Sequence, residues 1–198
     1  METATKLIVG LADMKITGNP TAMVTAYLGP CIGVAIHDPV ARVGGILHFM
    51  LPDSALDAQK ADDNPWMFAD TGIPLFLEQA YKLGAEKARM KVTVAGGSQI
   101  ADDGCGSFNT GKSNYTTLRK ILWMNNVLIH NEEVGGNVNR ILTIKLSSGS
   151  VEIKSLRDGI REGEKSYSKD LPISYPSSLA HGHSTTPEVS GYSRFTAR

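Results

Sequence analysis

The stretch YLGPCIGVAIHDPVARVGGILHFMLP, residues 27 to 52, constrains the fold more than any other. Two apolar runs, 32 to 37 and 43 to 50, flank Asp38-Pro39-Val40-Ala41. Asp in the first place and Pro in the second suit a type I turn, so the segment reads as a β-hairpin. A two-residue turn centred between Pro39 and Val40 pairs Ile36 with Val43, Val34 with Gly45 and Cys31 with His48. Directly opposite residues carry Cβ atoms about 4.5–5.5 Å apart on one face. This register therefore sets a thiol beside an imidazole. A slip of one residue would send the two to opposite faces, and Gly44-Gly45 offers a place for a bulge.

A cysteine next to an imidazole loses its proton more readily, and the thiolate is the nucleophile in acyl transfer. A third group ordinarily fixes the base. Thr25 is the nearest candidate in sequence, on the strand entering the Gly29-Pro30 break, with a hydroxyl able to accept from the ring N–H. Pro30 has no amide hydrogen, so an oxyanion would draw on the N–H of Cys31 or on glycine loops at 96 to 97 or 135 to 136. On the residues alone a second reading stands beside this one: a cysteine in an apolar strand and a histidine between Leu47 and Phe49 also describe inert core positions.

The remaining chain punctuates into short elements. Residues 5 to 12 and 21 to 28 read as strands, and Asn64-Pro65 caps and opens a helical turn. A helix is predicted over 74 to 83. Lys91 to Ala95 reads as a strand ending in Gly96-Gly97, and Ser113 or Asn114 caps a helix carrying Leu118, Ile121 and Leu122. Segments 127 to 130, 139 to 146 and 150 to 154 fit a β-meander with a final turn at Ser147-Ser148-Gly149. From 155 to 198 the chain is rich in Ser, Gly and charge, with Pro172, Pro176 and Pro187 and no apolar period. Such a stretch buries too little apolar surface to offset its ordering entropy. The reading is one domain over 1–154 with a flexible tail over 155–198.

Composition narrows the function classes. With 198 residues, 41% of them hydrophobic, the chain can bury one substantial core. Twenty basic and twenty acidic side chains cancel, which argues against nucleic acid or an anionic membrane as partner. No apolar run approaches the roughly 20 residues of a membrane span. The N-terminus METATKLIVGLADM lacks the basic start and long apolar stretch of a signal peptide, so a cytoplasmic location is expected, with Cys31 and Cys105 as free thiols. Cys31, His37, His48 and Cys105 have no zinc-type spacing. GSFNTGKS, residues 106 to 113, matches the P-loop pattern G-x-x-x-x-G-K-[ST], but IADDGC before it is no buried strand.

These residues resemble a family. LGPC (28 to 31), HDPVARVGGILHFMLP (37 to 52), AGGSQI (95 to 100), GKSN (111 to 114) and EVGG (133 to 136) are similar, in order and spacing, to the chemoreceptor glutamine deamidases called CheD. The resemblance runs from about residue 8 to 154. It implies an α/β sandwich with mixed β-sheets, Cys31 as nucleophile, His48 as base and Thr25 as third member. It implies attack on a receptor glutamine, release of ammonia and formation of glutamate, with no cofactor. The implied partners are chemoreceptor cytoplasmic helices and a CheC-type phosphatase, with a non-catalytic regulator of that phosphatase as the alternative. The chain departs from the family in having Pro30 where Ser is common, GKSN in place of a more charged loop, and Glu133 for Asp.

Overall fold

The structure, a computed structural model, describes residues 4–99 and 110–156. Two mixed sheets pack face to face, and helices cover the far side of one of them. The first sheet contains β1 (Thr5–Val9), β3 (Ala22–Leu28), β8 (Asn139–Lys145) and β9 (Ser150–Leu156) in the order β1-β3-β8-β9. The second contains β2 (Asp13–Thr17), β4 (Ile32–Asp38), β5 (Val43–Phe49), β6 (Lys91–Gly96) and β7 (Asn131–Val134) in the order β2-β5-β4-β6-β7. Helices α1 (Ala58–Asp63), α2 (Ala69–Lys82) and α3 (Thr110–Met124) complete the described elements, with 3₁₀ turns at Ser54–Leu56 and Pro65–Met67.

Strand alternation divides the interior into two cores. Val24, Ala26 and Leu28 of β3 and Leu142 and Ile144 of β8 meet Ala35 and Ile46 between the sheets. Ile32, Val34, Ile36, Leu47 and Phe49 face the other way, against Ile73, Phe76 and Leu77 of α2 and Leu118, Ile121 and Leu122 of α3. The central strands β4 and β5 are therefore buried on both faces, which is why they read as continuous apolar runs.

The hairpin 32 to 50 forms, but its register differs from the expected one. Asp38 pairs Val43, Ile36 pairs Gly45 and Gly33 pairs His48. The cause is Asp38. Its carboxylate accepts from the amides of Val40 (2.8 Å) and Ala41 (3.0 Å), and Arg42 adopts a positive φ of 55°, so residues 39 to 42 form a longer loop than a two-residue turn. Asp38 also accepts from Glu86 N and pairs with Arg89. Burial alone would raise its pKa, but the Arg89 guanidinium and these amides outweigh it and hold the carboxyl at about 2.

Other elements depart from the sequence reading for equally local reasons. The first strand is two: β1 ends at Val9, and a turn with Ala12 at φ 52° leads into β2 in the other sheet. Helix α2 begins at Ala69 rather than at Pro74 and carries the proline inside. Asp70 in its first turn accepts from the amide and hydroxyl of Ser54, and Ala69, Ile73, Phe76, Leu77 and Ala80 form one buried stripe. Asn64 does cap the turn that starts at Pro65. Helix α3 starts at Thr110, so Asn114 is interior rather than a cap. Residues 127 to 130 form no strand. Val127 N closes α3 onto Leu122 O, His130 bonds the backbone of Val92, and pairing begins at Asn131. The meander reduces to the β8–β9 hairpin, because β7 joins the other sheet, parallel to β6. Strand β9 runs to Leu156; the predicted tail beyond it lies outside the described residues. Gly111, Lys112 and Ser113 of the P-loop-like pattern belong to α3, and its earlier residues lie outside the described ones.

Candidate active site

Cys31 and His48 lie on the inter-sheet side of the second sheet. The observed register is two residues from the expected one, and because side chains alternate with period two, the shift preserves the face. His48 lies opposite Gly33, and Cys31 precedes Gly33 by two positions on the same side. The two side chains are diagonal neighbours across β4–β5, with backbone positions about 7–8 Å apart, within reach of an imidazole ring. Both are buried, Cys31 to 7% and His48 to 4% exposure.

The backbone around Cys31 is fixed from several sides. Gly97 N donates to Cys31 O at 2.8 Å and Ser98 N to Gly29 O at 2.9 Å. Gly96, at φ 109°, has no room for a Cβ against the Cys31 carbonyl, so this close approach requires glycine. Gly97 is in turn covered by α3: a Cβ on Gly111 would lie 2.5 Å from Gly97 O. Arg140, buried on β8, donates to Gly96 O at 3.3 Å and to Glu133 at 3.0 Å. From α3, the fully buried Asn114 donates to Met50 O at 2.7 Å, tying down the end of the strand that carries His48.

These bonds also decide which amides are free. Of the expected oxyanion donors, Gly97 N is committed to Cys31 O and Gly135 N to Gly96 O. The N–H of Cys31 itself faces the thiol, where it acts to lower the thiol's pKa. A cleft of about 340 Å³ lies on the other side of the glycine loop, lined by Gly97, Gly111, Lys112, Tyr115 and Glu132 among others, with Tyr115 bonded to Glu132 at 2.7 Å.

The resting electrostatics differ from the sequence expectation of an activated thiolate. Burial pushes the Cys31 thiol up to about 12, with its own backbone amide opposing only weakly. Burial likewise pushes His48 down to about 4, against the backbone carbonyls of Gly10 and Val9 and the charge of Asp13, which favour the cation. At neutral pH the pair is thiol and neutral imidazole. Among the described residues neither ring nitrogen of His48 has a partner within hydrogen-bond geometry, and the Val9 and Gly10 carbonyls are the polar groups that act on the ring from the backbone.

Thr25 is not brought to the ring. On β3 the residues facing the other sheet are Ala22, Val24, Ala26 and Leu28, so Thr25 points to the outer face. There its hydroxyl is 3.1 Å from that of Thr143, its partner across β3–β8. Two nearby charged residues escaped the sequence reading. Arg140 carried no local signal beyond its place in the resembling segment, and Asp13 sat in what read as one continuous strand. Asp13 is the residue directly opposite His48 in the β2–β5 ladder.

Comparison with known proteins identifies the family. Residues 50–155 match the sequence model of the family described as CheD chemotactic sensory transduction; the match begins just past His48. The chain is 47% identical over 157 residues to a protein of Syntrophus aciditrophicus named probable chemoreceptor glutamine deamidase CheD 1, covering 79% of this chain and 98% of that protein. It is 40% identical over 172 residues to a probable chemoreceptor glutamine deamidase CheD of Solibacter usitatus, covering 86% and 96%. A third relative, from Anaeromyxobacter dehalogenans and named in the same way as CheD 2, is 42% identical over 148 residues, covering 74% and 92%. With the family match and these near full-length relatives in hand, the chain belongs to the CheD family.

Proposed function

We propose that this protein deamidates glutamine side chains of chemoreceptors, with Cys31 as nucleophile and His48 as general base. The observation that carries the reading is the placement of a buried thiol one diagonal step from a buried imidazole whose two nitrogens have no hydrogen-bond partner among the described residues. A core histidine ordinarily satisfies its nitrogens; this one is left able to take a proton.

The chemistry follows from the neutral resting pair. As Cys31 Sγ attacks the carboxamide carbon, its proton passes to His48, and the carbonyl electrons move onto oxygen, stabilised by the Cys31 amide. Collapse of the tetrahedral species breaks the C–N bond. His48 returns the proton to the departing nitrogen, so ammonia leaves and a thioester remains. His48 then takes a proton from water, whose oxygen attacks the thioester. Collapse of the second tetrahedral species breaks the C–S bond and His48 returns its proton to the departing sulfur, leaving a glutamic acid side chain, which ionises to glutamate, and a free thiol. Thr25 enters as a positioning residue: paired with Thr143, it holds β3, which leads through Gly29-Pro30 into Cys31.

The substrate class follows from the family, since the relatives are named for chemoreceptor glutamine. The place of action is the cytoplasm, and among the described residues no helix is long and apolar enough to cross a membrane. A regulator reading, binding to a CheC-type phosphatase, is favoured by one observation: a thiol held near 12 is what a purely structural cysteine also shows. Ammonia release from a receptor fragment separates the two. The deamidase reading expects release by the parent and none by Cys31→Ala; the regulator reading expects no release from either, with phosphatase stimulation retained in Cys31→Ala.

A further inference from the structure

The catalytic sequence creates an imidazolium in a site that penalises one. Burial holds His48 neutral at rest, so something must stabilise the cation when the Cys31 proton arrives. The residue expected to do so by its hydroxyl, Thr25, lies on the outer face of the other sheet.

We propose that Asp13 is the positioning residue for His48, its carboxylate stabilising the imidazolium from directly across the β2–β5 ladder. The inference rests on the deamidase reading above. Asp13 pairs His48 in an antiparallel register, which puts the two Cβ atoms about 4.5–5.5 Å apart on one face. The face is the inter-sheet one, because Met14 and Ile16, which alternate along β2 with Asp13 and Lys15, pack against the helix-side core. Asp13 is itself held in place. Oδ2 accepts from Gly10 N at 3.2 Å and Oδ1 from Met14 N at 2.7 Å. Lys15, the next residue on that face, caps it with an ion pair of 2.6 Å.

The other groups around the ring leave this role to Asp13. From β4 the ring meets Gly33 and Cys31. The facing residues of β3 are apolar. From β8, Arg140 is engaged by Glu133 and the Gly96 carbonyl. The connection after β1 offers the carbonyls of Val9 and Gly10, and Asp13 is the one charged side chain whose field acts on the ring among the described residues. Asp13 takes no proton in this scheme; it lowers the energy of the state in which His48 holds one. Lys15 partly neutralises it, so the pair tunes the base.

Asp13→Asn and Lys15→Met test the role from opposite sides. Asp13→Asn keeps the size and removes the charge. It should lower kcat for ammonia release by about tenfold with KM little changed, and Asp13→Glu should recover part of the loss. Without receptor present, the His48 ring followed by NMR should titrate at lower pH in Asp13→Asn and at higher pH in Lys15→Met. A packing role would not move the titration in opposite directions. Should Asp13→Asn fail to fold, the half-buried Lys15→Met variant decides, and an unmoved or lowered His48 titration there overturns the proposal. An unchanged kcat in a folded Asp13→Asn overturns it as well. If the parent itself releases no ammonia while both titrations shift as stated, the deamidase reading fails and the Asp13–His48 coupling stands.

Discussion

At the scale of single residues, the structure sets Cys31 and His48 on one buried face between the sheets, as a thiol and a neutral imidazole at neutral pH. The sequence reading expects a thiolate because it counts only the neighbour; burial, which a sequence does not display, outweighs that neighbour and pushes Cys31 to about 12. Iodoacetamide should therefore alkylate Cys31 far more slowly at pH 8 than a small-molecule thiol of pKa about 8.5, with the rate still climbing above pH 10; labelling that levels off by pH 9 would mean an activated thiol. His48 makes a prediction about stability. Its neutral form is buried, so its pKa is about 4 folded and about 6.5 unfolded. Between those values the unfolded chain binds more protons. Its contribution is intact above about pH 6.5 and falls as pH drops toward 4, by a few kcal/mol in all. Asp38, held near 2, loses its contribution only below the carboxylate range, so the two effects separate in pH. Urea midpoints should fall between pH 7 and pH 4.5, and a flat profile there would contradict a neutral buried ring. That Cys31 and His48 share a face was legible because side chains alternate along the two strands of the hairpin. Asp13 was not, since nothing in LADMKI says that a strand ends at Val9 and the next enters the other sheet.

At the scale of elements, the hairpin 32 to 50 shows why face is easier to read than register. Alternation fixes which side chains share a side, and that survived a two-residue shift; loop length depends on how Asp38 uses its carboxylate, which composition does not reveal. The same distinction explains α2. Pro74 looks like a helix start, but the stripe from Ala69 to Ala80 buries enough apolar surface to carry a helix through it. Segment 127 to 130 is the converse case, apolar residues that serve the core without joining a ladder. Glycine in β5 has an element-scale role: a Cβ on Gly45 would run into the Lys15 carbonyl and the Ile16 backbone on β2. Gly45→Ala should cost about 2–3 kcal/mol in urea denaturation and lower activity with it, because β2 carries Asp13 and β5 carries His48. A variant of parental stability would show that β2 yields easily and that its register is not enforced there.

At the scale of the molecule, two sheets and a helical layer place Cys31 and His48 between the sheets, beside a glycine loop that α3 packs against from the far side. The described residues of both cores all lie between β1 and β9, so a chain ending at residue 158 should keep one cooperative thermal transition and its deamidase activity; loss of the transition would place residues beyond 158 in the folded unit. The central claim is that one thiol, Cys31, carries out amide-to-acid conversion on a receptor glutamine. Its most direct test is mass spectrometry of a receptor fragment incubated in parallel with the parent and with Cys31→Ala. The account predicts a rise of about one dalton at a glutamine with the parent, set by a thioester path that ends in hydrolysis, and no rise with the variant. The same rise with both proteins would contradict it.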